Sequence, residues 1–396
     1  MPRLDPAPEP ITIERPLPPF RLEAGAALLD PRARVLFWGT VAEHDVLREG
    51  GTLADDPDRP ILCVLHTLTG ALDPRTSFPR LFGRGRPFRP WACRIVAVGL
   101  LGSHNDPAGP SSGTFPNRTE DLRHRPSPPV SRGGSPHDER RLPATVTTWD
   151  QARAVTFALH ALGLHRVRLV LGASLGGMVA LALAAYQGDA IERACAIASP
   201  LATSAWTLAH DHLVREILLS DPDFPHGEGT RALARQVAFF GYRGRRALVE
   251  RQGRETSGPR HAGAVPWSPR APYRVETYFR HIAEGPHPDP RDTVAMLGAM
   301  DHHDLARRPP FWPGREGDAP LDRVSAHVTC VGISSDTFVT KEEVEAVAHA
   351  LGARATYREI TSDFGHDGFL VEEARVAAIA REAFGDMPTP AHPNRR

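Results

Sequence analysis

Residues 172–176 of this 396-residue chain read Gly172-Ala173-Ser174-Leu175-Gly176, and no other segment restricts the possible fold as tightly. The mostly apolar run Val167–Leu171 precedes the pentapeptide, and the apolar run Met178–Ala184 follows it. A strand, a tight turn with glycine on both sides and a helix are what a nucleophile elbow requires, with the serine oxygen thrust out at the helix N-terminus. The glycines allow the close backbone approach and unusual dihedrals of such a turn. A bare G-x-S-x-G arises by chance in many chains; the strand before it and the helix after it give this one its weight.

Other short apolar runs with strand-like composition are Ile61–Leu65, Arg94–Val98, Ala194–Ile197 and Val328–Ile333, and a short strand is expected at Ala355–Ile360. Helical patterns lie between them. Trp149, Ala152, Val155, Leu159 and Leu162 recur at spacings of three or four and predict one apolar helix face. Thr148 is the expected N-cap of that helix and Gly163 its stop. Further helices are predicted over Lys341–Leu351, ended by Gly352, and over about Val371–Phe384. Strands alternating with helices imply an α/β fold with a mainly parallel central sheet covered on both faces.

Two segments break the alternation. Residues 105–143 are rich in Pro, Gly, Ser and Arg and predict a long, mobile loop. Residues 201–322 show helical patterns without a strand series, and the alternation resumes at Val324, the pattern of an inserted helical lid. The expected division is therefore a core in two parts, 1–200 and 323–386, a lid over 201–322, and a disordered tail over 387–396.

Formal net charge is zero with histidine neutral, which gives no ground for a nucleic acid or an acidic membrane surface as partner. The basic residues are almost all arginine, with Lys341 the single lysine. No apolar run reaches the roughly 18 residues that span a bilayer. Residues 1–20 are proline-rich without an apolar h-region, so no secretory signal is expected there. Cys63, Cys93, Cys195 and Cys330 form no C-x-x-C pair, which favours buried thiols in a reducing cytoplasm over disulfides or a metal site.

A serine hydroxyl needs a base, usually a histidine held by a carboxylate. On an α/β-hydrolase fold these follow the serine in the order acid, then histidine. Asp336 lies just past the strand Val328–Ile333, and His366 lies in Asp363-Phe364-Gly365-His366-Asp367-Gly368 after Ala355–Ile360. Both positions fall at the C-terminal rim of the sheet, as the elbow does. Any one of nineteen histidines could be a bystander, and Asp336 alone could be a turn or cap residue. The three types in the required order at the required element ends predict the triad Ser174, Asp336 and His366. The backbone N–H of Leu175 is an expected oxyanion donor, and a second should come from the loop His66-Thr67-Leu68-Thr69-Gly70. The competing reading of that loop is an ordinary strand-end turn.

With these residues placed, the chain from about Phe20 to Phe384 resembles the homoserine O-acetyltransferase family of α/β-hydrolase-fold acyltransferases. The resemblance is carried by Gly172-Ala173-Ser174-Leu175-Gly176-Gly177-Met178, by His66–Gly70, by Gly109-Pro110-Ser111-Ser112, by Ser220-Asp221-Pro222-Asp223-Phe224 and by Ala299-Met300-Asp301. Ser335-Asp336 and Gly365-His366-Asp367 match the acid and histidine motifs. The family implies the Leu68 N–H as second oxyanion donor. It implies Arg235 as the grip on a substrate carboxylate, Tyr242 nearby, and Asp367 as the partner of a substrate ammonium. By residue type alone Arg235 reads as a solvated helix arginine among Arg231, Arg243, Arg245 and Arg246.

The chain departs from the family pattern at Gly102-Ser103-His104, at Arg291 and Thr293, and at Val155. These departures leave the triad chemistry intact and bear on the acceptor.

The resemblance implies transfer of acetyl from acetyl-CoA, or of another acyl group from its CoA ester, to the hydroxyl of L-homoserine or a related small acceptor. The route would be ping-pong through an acyl-serine, with no bound cofactor and no metal. It also implies, weakly, a homodimer through the lid helices. Alternatives are O-acylation of serine or of a specialised metabolite, hydrolysis by the same triad as an esterase or thioesterase, and a non-catalytic binding module.

Overall fold

The computed structural model describes residues 9–83, 85–116, 142–255, 273–285 and 287–386. Strand β1 (Ile11–Pro16) opens the chain, and β2 (Phe20–Arg21) pairs with β3 (Ala27–Leu28) as a small separate ribbon. Then come β4 (Arg32–Trp38), β5 (Ile61–Leu65), β6 (Arg94–Val98), β7 (Leu169–Ala173), β8 (Arg193–Ile197), β9 (His327–Ile333) and β10 (Ala355–Ile360). They build one eight-stranded sheet in the order β1-β4-β6-β5-β7-β8-β9-β10. Pairings β1–β4 and β4–β6 are antiparallel, and the remaining five are parallel. The expected α/β-hydrolase architecture is present. The antiparallel edge formed by β1 and β4 was not among the predicted strands.

The inner parallel strands β5 to β9 are largely apolar on both faces because helices cover both. Alternate residues sort to opposite sides. Cys63, Leu65, Val96, Val98 and Val170 join one core cluster, while Leu62, Val64, Ile95, Leu169 and Leu171 join the other. Helices α3 (Thr148–His160), α4 (Leu175–Gln187) and α10 (Lys341–Leu351) pack on the first side through Trp149, Val155, Leu159, Met178, Val344 and Val347. Helix α12 (Glu373–Phe384) closes the second through Val376, Ala380 and Phe384. Short helices α1 (Val41–Arg48), α2 (Pro74–Ser77) and α11 (Gly368–Val371) fill connections.

Two local expectations shift. The cap of α3 is Thr147, not Thr148: Asp150 sits at the third helical position, where its carboxylate accepts from the Thr147 N–H while Thr147 Oγ1 accepts from the Asp150 N–H. Strand β7 starts at Leu169 rather than Val167 and runs on into Gly172-Ala173, carrying the strand to the edge of the elbow.

Between β8 and β9 the described residues hold α5 (Ala205–Leu219), α6 (Glu228–Tyr242), α7 (Arg245–Gln252), α8 (Arg274–Ala283) and α9 (Pro290–Asp301). Val214, Leu218, Phe224, Ala234, Val294 and Leu297 give this insertion its own small core. Its two ends meet: Ala202 bridges Asp304, Thr203 N–H donates to His303 O at 3.0 Å, and Leu305 N–H donates to Leu201 O at 2.9 Å. Residues 117–141 of the expected mobile loop and the tail 387–396 lie outside the described residues.

The four cysteines are buried and unpaired, and burial pushes the Cys63, Cys93 and Cys330 thiols up to about 12. Among the described residues no helix is long and apolar enough to cross a membrane.

Candidate active site

Ser174 joins β7 to α4 with φ of 53° and ψ of −127°, a backbone conformation that L-residues rarely adopt. Its N–H donates to Ile197 O at 2.8 Å, which locks the turn to β8. The glycines are required by contact. A Cβ on Gly172 would lie 2.2 Å from the Gly176 carbonyl carbon, and one on Gly176 would lie 2.4 Å from Leu65 O.

His366 Nε2 stands 2.8 Å from Ser174 Oγ, and His366 Nδ1 stands 2.7 Å from Asp336 Oδ2. The other Asp336 oxygen accepts from the Phe338 N–H at 2.8 Å and the Val339 N–H at 3.0 Å, so the carboxylate cannot swing away. With Nδ1–H donating to the carboxylate, Nε2 is the acceptor that faces the serine hydroxyl. All three residues are buried. Burial by itself depresses the His366 pKa, but the Asp336 carboxylate and, further off, Asp367 and Asp211 hold it above the ordinary value.

The loops bearing acid and base are stitched together. Ser335 Oγ accepts from the Gly365 N–H at 2.9 Å, and Ser334 Oγ accepts from the Ser362 N–H at 3.0 Å while donating to Ser362 O at 3.1 Å. Aromatic rings surround the imidazole: Phe338 at 4.9 Å, Tyr242 at 5.7 Å and Phe369 at 5.8 Å between centroids.

Leu175 is the first residue of α4, at the end where helix N–H groups favour negative charge. Leu68 lies in the 66–70 turn, whose position is set by His66. His66 Nδ1–H donates to Thr67 O at 2.8 Å, and Nε2 accepts from the Leu100 N–H at 3.0 Å. Burial holds His66 neutral, with a pKa pushed down to about 4. Gln151 of α3 pins the same loop end, accepting from the Leu101 N–H and donating to Leu101 O, both at 2.7 Å.

Arg235 lies on α6. Its Nε donates to Ile282 O at 2.7 Å, and its guanidinium lies 4.7 Å over the Phe239 ring. It lines one cavity with Leu68, Thr69, Tyr242, His287 and Thr293. Tyr242 is thus shared between the cavity wall and the imidazole. Asp367 follows His366 directly, and its carboxylate pairs with Arg243. Burial raises the Asp367 pKa, and the Arg243 and His366 charges work against that rise.

Arg243, Gln151 and His210 did not emerge from the sequence as site residues. Arg243 was hidden in an arginine-rich stretch. His210 packs 5.6 Å from Tyr242 and 5.0 Å from Phe338 between centroids, behind the catalytic imidazole. Among the described residues no cluster of His, Cys, Asp or Glu could hold a metal ion.

The sequence model of the alpha/beta hydrolase fold family matches residues 60–233. A homoserine O-acetyltransferase from Thermus thermophilus is 30% identical over 374 residues, covering 91% of this chain and 87% of that protein. Among solved structures, a homoserine O-acetyltransferase from Bacillus anthracis superposes with a TM-score of 0.70 at 14% identity, covering 96% of this chain and 99% of the other. An acetylester hydrolase from Corynebacterium glutamicum superposes with a TM-score of 0.69 at 16% identity, covering 95% and 96%. These two structural likenesses concern the fold alone.

Proposed function

This chain belongs to the homoserine O-acetyltransferase family and is an acyltransferase of α/β-hydrolase fold, and we propose that it moves an acetyl group from acetyl-CoA to the hydroxyl of L-homoserine. The observation that carries the reading is the hydrogen-bond chain from Ser174 through His366 to Asp336, set beside a cavity roofed by inserted helices.

In the first half-reaction Ser174 Oγ attacks the thioester carbonyl carbon as its proton passes to His366 Nε2. The Leu175 and Leu68 N–H groups receive the negative charge that develops on the carbonyl oxygen. The carbon–sulfur bond breaks, His366 returns the proton to the departing sulfur, and acetyl-Ser174 remains. In the second half His366 takes the proton of the acceptor hydroxyl, whose oxygen attacks the ester. Collapse returns the proton to Ser174 Oγ. Asp336 keeps the imidazole in the reactive tautomer and stabilises its charged form in both halves.

Transfer outruns hydrolysis only where water is kept from the acyl-serine. Leu68, Val214, Leu218, Phe239 and Tyr242 give the cavity an apolar wall suited to that. Arg235, which borders the same cavity, would fork the acceptor carboxylate with two parallel N–H bonds. Asp367 matches the family's ammonium-binding carboxylate, although its charge is met here by Arg243. Residues 201–322 serve as the lid over the core formed by 1–200 and 323–386. Exposed Trp206, Leu213, Leu233 and Phe240 on α5 and α6 support a homodimer through those helices. Four unpaired thiols suit the cytoplasm.

The test is direct. Incubated with acetyl-CoA, the protein should gain the mass of one acetyl group, Ser174→Ala should gain none, and L-homoserine should discharge the label as O-acetylhomoserine. Absence of any acyl adduct on Ser174 together with no release of CoA would refute the proposal. Discharge by water at the same rate with and without homoserine would instead identify a hydrolase.

A further inference from the structure

We infer that Arg243 is a positioning residue for acceptor choice: it holds one oxygen of Asp367 and so aims the other at the acceptor's ammonium. The inference rests on Asp367 being the partner of that ammonium.

Asp367 is buried directly after the catalytic histidine. Burial raises its pKa, and the Arg243 charge is the largest influence against that rise. An ammonium is drawn to a carboxylate and not to a carboxylic acid, so its partner has to stay ionised before the substrate arrives. Arg243 Nη1 donates to Asp367 Oδ2, which leaves Oδ1 for a second donor. The Asp367 side chain keeps 11% of its surface open, so a ligand can reach it.

Arg243 is itself held in place. Its guanidinium lies 5.2 Å from the Phe239 ring centroid and 5.9 Å from that of Tyr278 on α8. Its backbone closes α6 and presses on the histidine loop, where a Cβ on Gly365 would lie 2.7 Å from the Arg243 carbonyl carbon. Arg235, Phe239 and Arg243 follow one another at four-residue spacing, and the Arg235 guanidinium lies 4.7 Å from the same Phe239 centroid. One ring thus carries both the cation that would grip the acceptor carboxylate and the cation that clamps the ammonium's partner. A nearby arginine shows the contrast. The Arg246 side chain is 68% exposed and pairs with Glu250 and Asp363 at the surface, whereas that of Arg243 is 23% exposed.

The experiment compares L-homoserine with 4-hydroxybutyrate, its analogue without the amine, as acceptors that discharge acetyl-Ser174. The readout is the ratio of their kcat/KM values within one protein, which a loss of folded enzyme or of acylation rate does not move. The parent should prefer homoserine. Arg243→Met should lower the ratio by about tenfold or more, and Arg243→Lys should keep more of it. Arg243→Ala, with the same expectation, serves if the methionine variant does not fold. In an Asp367→Asn background Arg243→Met should change the ratio no further, because the arginine acts through that carboxylate. An unchanged or higher ratio in Arg243→Met, or an equal fall in the Asp367→Asn background, would overturn the inference. So would a parent that forms acyl-serine yet does not distinguish the two acceptors. A parent that forms no acyl-serine would overturn it together with acyl transfer itself.

Discussion

Gly365 and Gly244 meet backbone to backbone, so that a Cβ on Gly365 would lie 2.4 Å from Gly244 N. One glycine precedes the catalytic histidine, and the other joins two helices of the insertion. The reciprocal contact is as close, since a Cβ on Gly244 would fall 2.1 Å from Asp363 O. The helical insertion therefore rests on the loop that aims His366.

Gly244→Ala must push these segments apart. Overpacking of this kind costs about 1–3 kcal/mol. The expected result is a lower melting temperature together with a fall in kcat, because the loop that moves carries the base. Thermal melts and single-turnover acylation check both. A variant with full kcat would show that the contact does not set the imidazole position.

Ser174 stores strain in its positive φ. Ser174→Gly removes a penalty of roughly 1–3 kcal/mol while removing the nucleophile. It should melt above the parent and form no acyl adduct. Ser174→Ala keeps the Cβ and should melt below the glycine variant. An inverted order of melting temperatures would contradict the strain.

The base acts through its neutral form, and the raised pKa of His366 places the acid limb of kcat/KM above the ordinary histidine value. Activity should rise with pH through that limb. Asp336→Asn removes the charge that stabilises imidazolium, so its limb should move to lower pH while kcat falls by about 10⁴-fold. The linkage to stability has the same origin. With the folded pKa raised, imidazolium stabilises the native state below the unfolded value, and that increment is lost as pH rises through the folded value. Melting temperatures of parent and variant should therefore differ most at acid pH.

Arg235→Ala should raise the acceptor KM by about 10- to 100-fold without altering the rate of acyl-serine formation. Arg235→Lys should recover little, because an ammonium cannot fork a carboxylate with two parallel bonds. Steady-state kinetics at varied homoserine separate the effects, and an unchanged KM would remove Arg235 from the carboxylate role.

Much of this arrangement was legible in the sequence because strand ends position chemistry. The runs Ile61–Leu65 and Arg94–Val98 coincide with strands residue for residue, since doubly covered strands are largely apolar; Ala355–Ile360 coincides too, as an edge strand of mixed polarity. The elbow, Asp336 and His366 each follow a predicted strand, in the order serine, acid, histidine, and were readable from that combination. The antiparallel edge was harder: β1 sits in a proline-rich stretch and alternates buried with exposed residues, a weaker signal. Arg243 was not readable at all. Its meaning comes from a pairing with Asp367, 124 residues away along the chain, and no local pattern announces such a partner.

The joined ends of the insertion have an evolutionary consequence. About a hundred residues leave and re-enter the core at one closed seam, Ala202 against Asp304. The entropy of closing a loop grows only logarithmically with its length. The roof over Ser174 can therefore be lengthened, trimmed or recomposed while the sheet beneath keeps its register. A lineage can change which molecule it accepts by editing this one excursion, provided that the Gly244–Gly365 contact beneath it is kept.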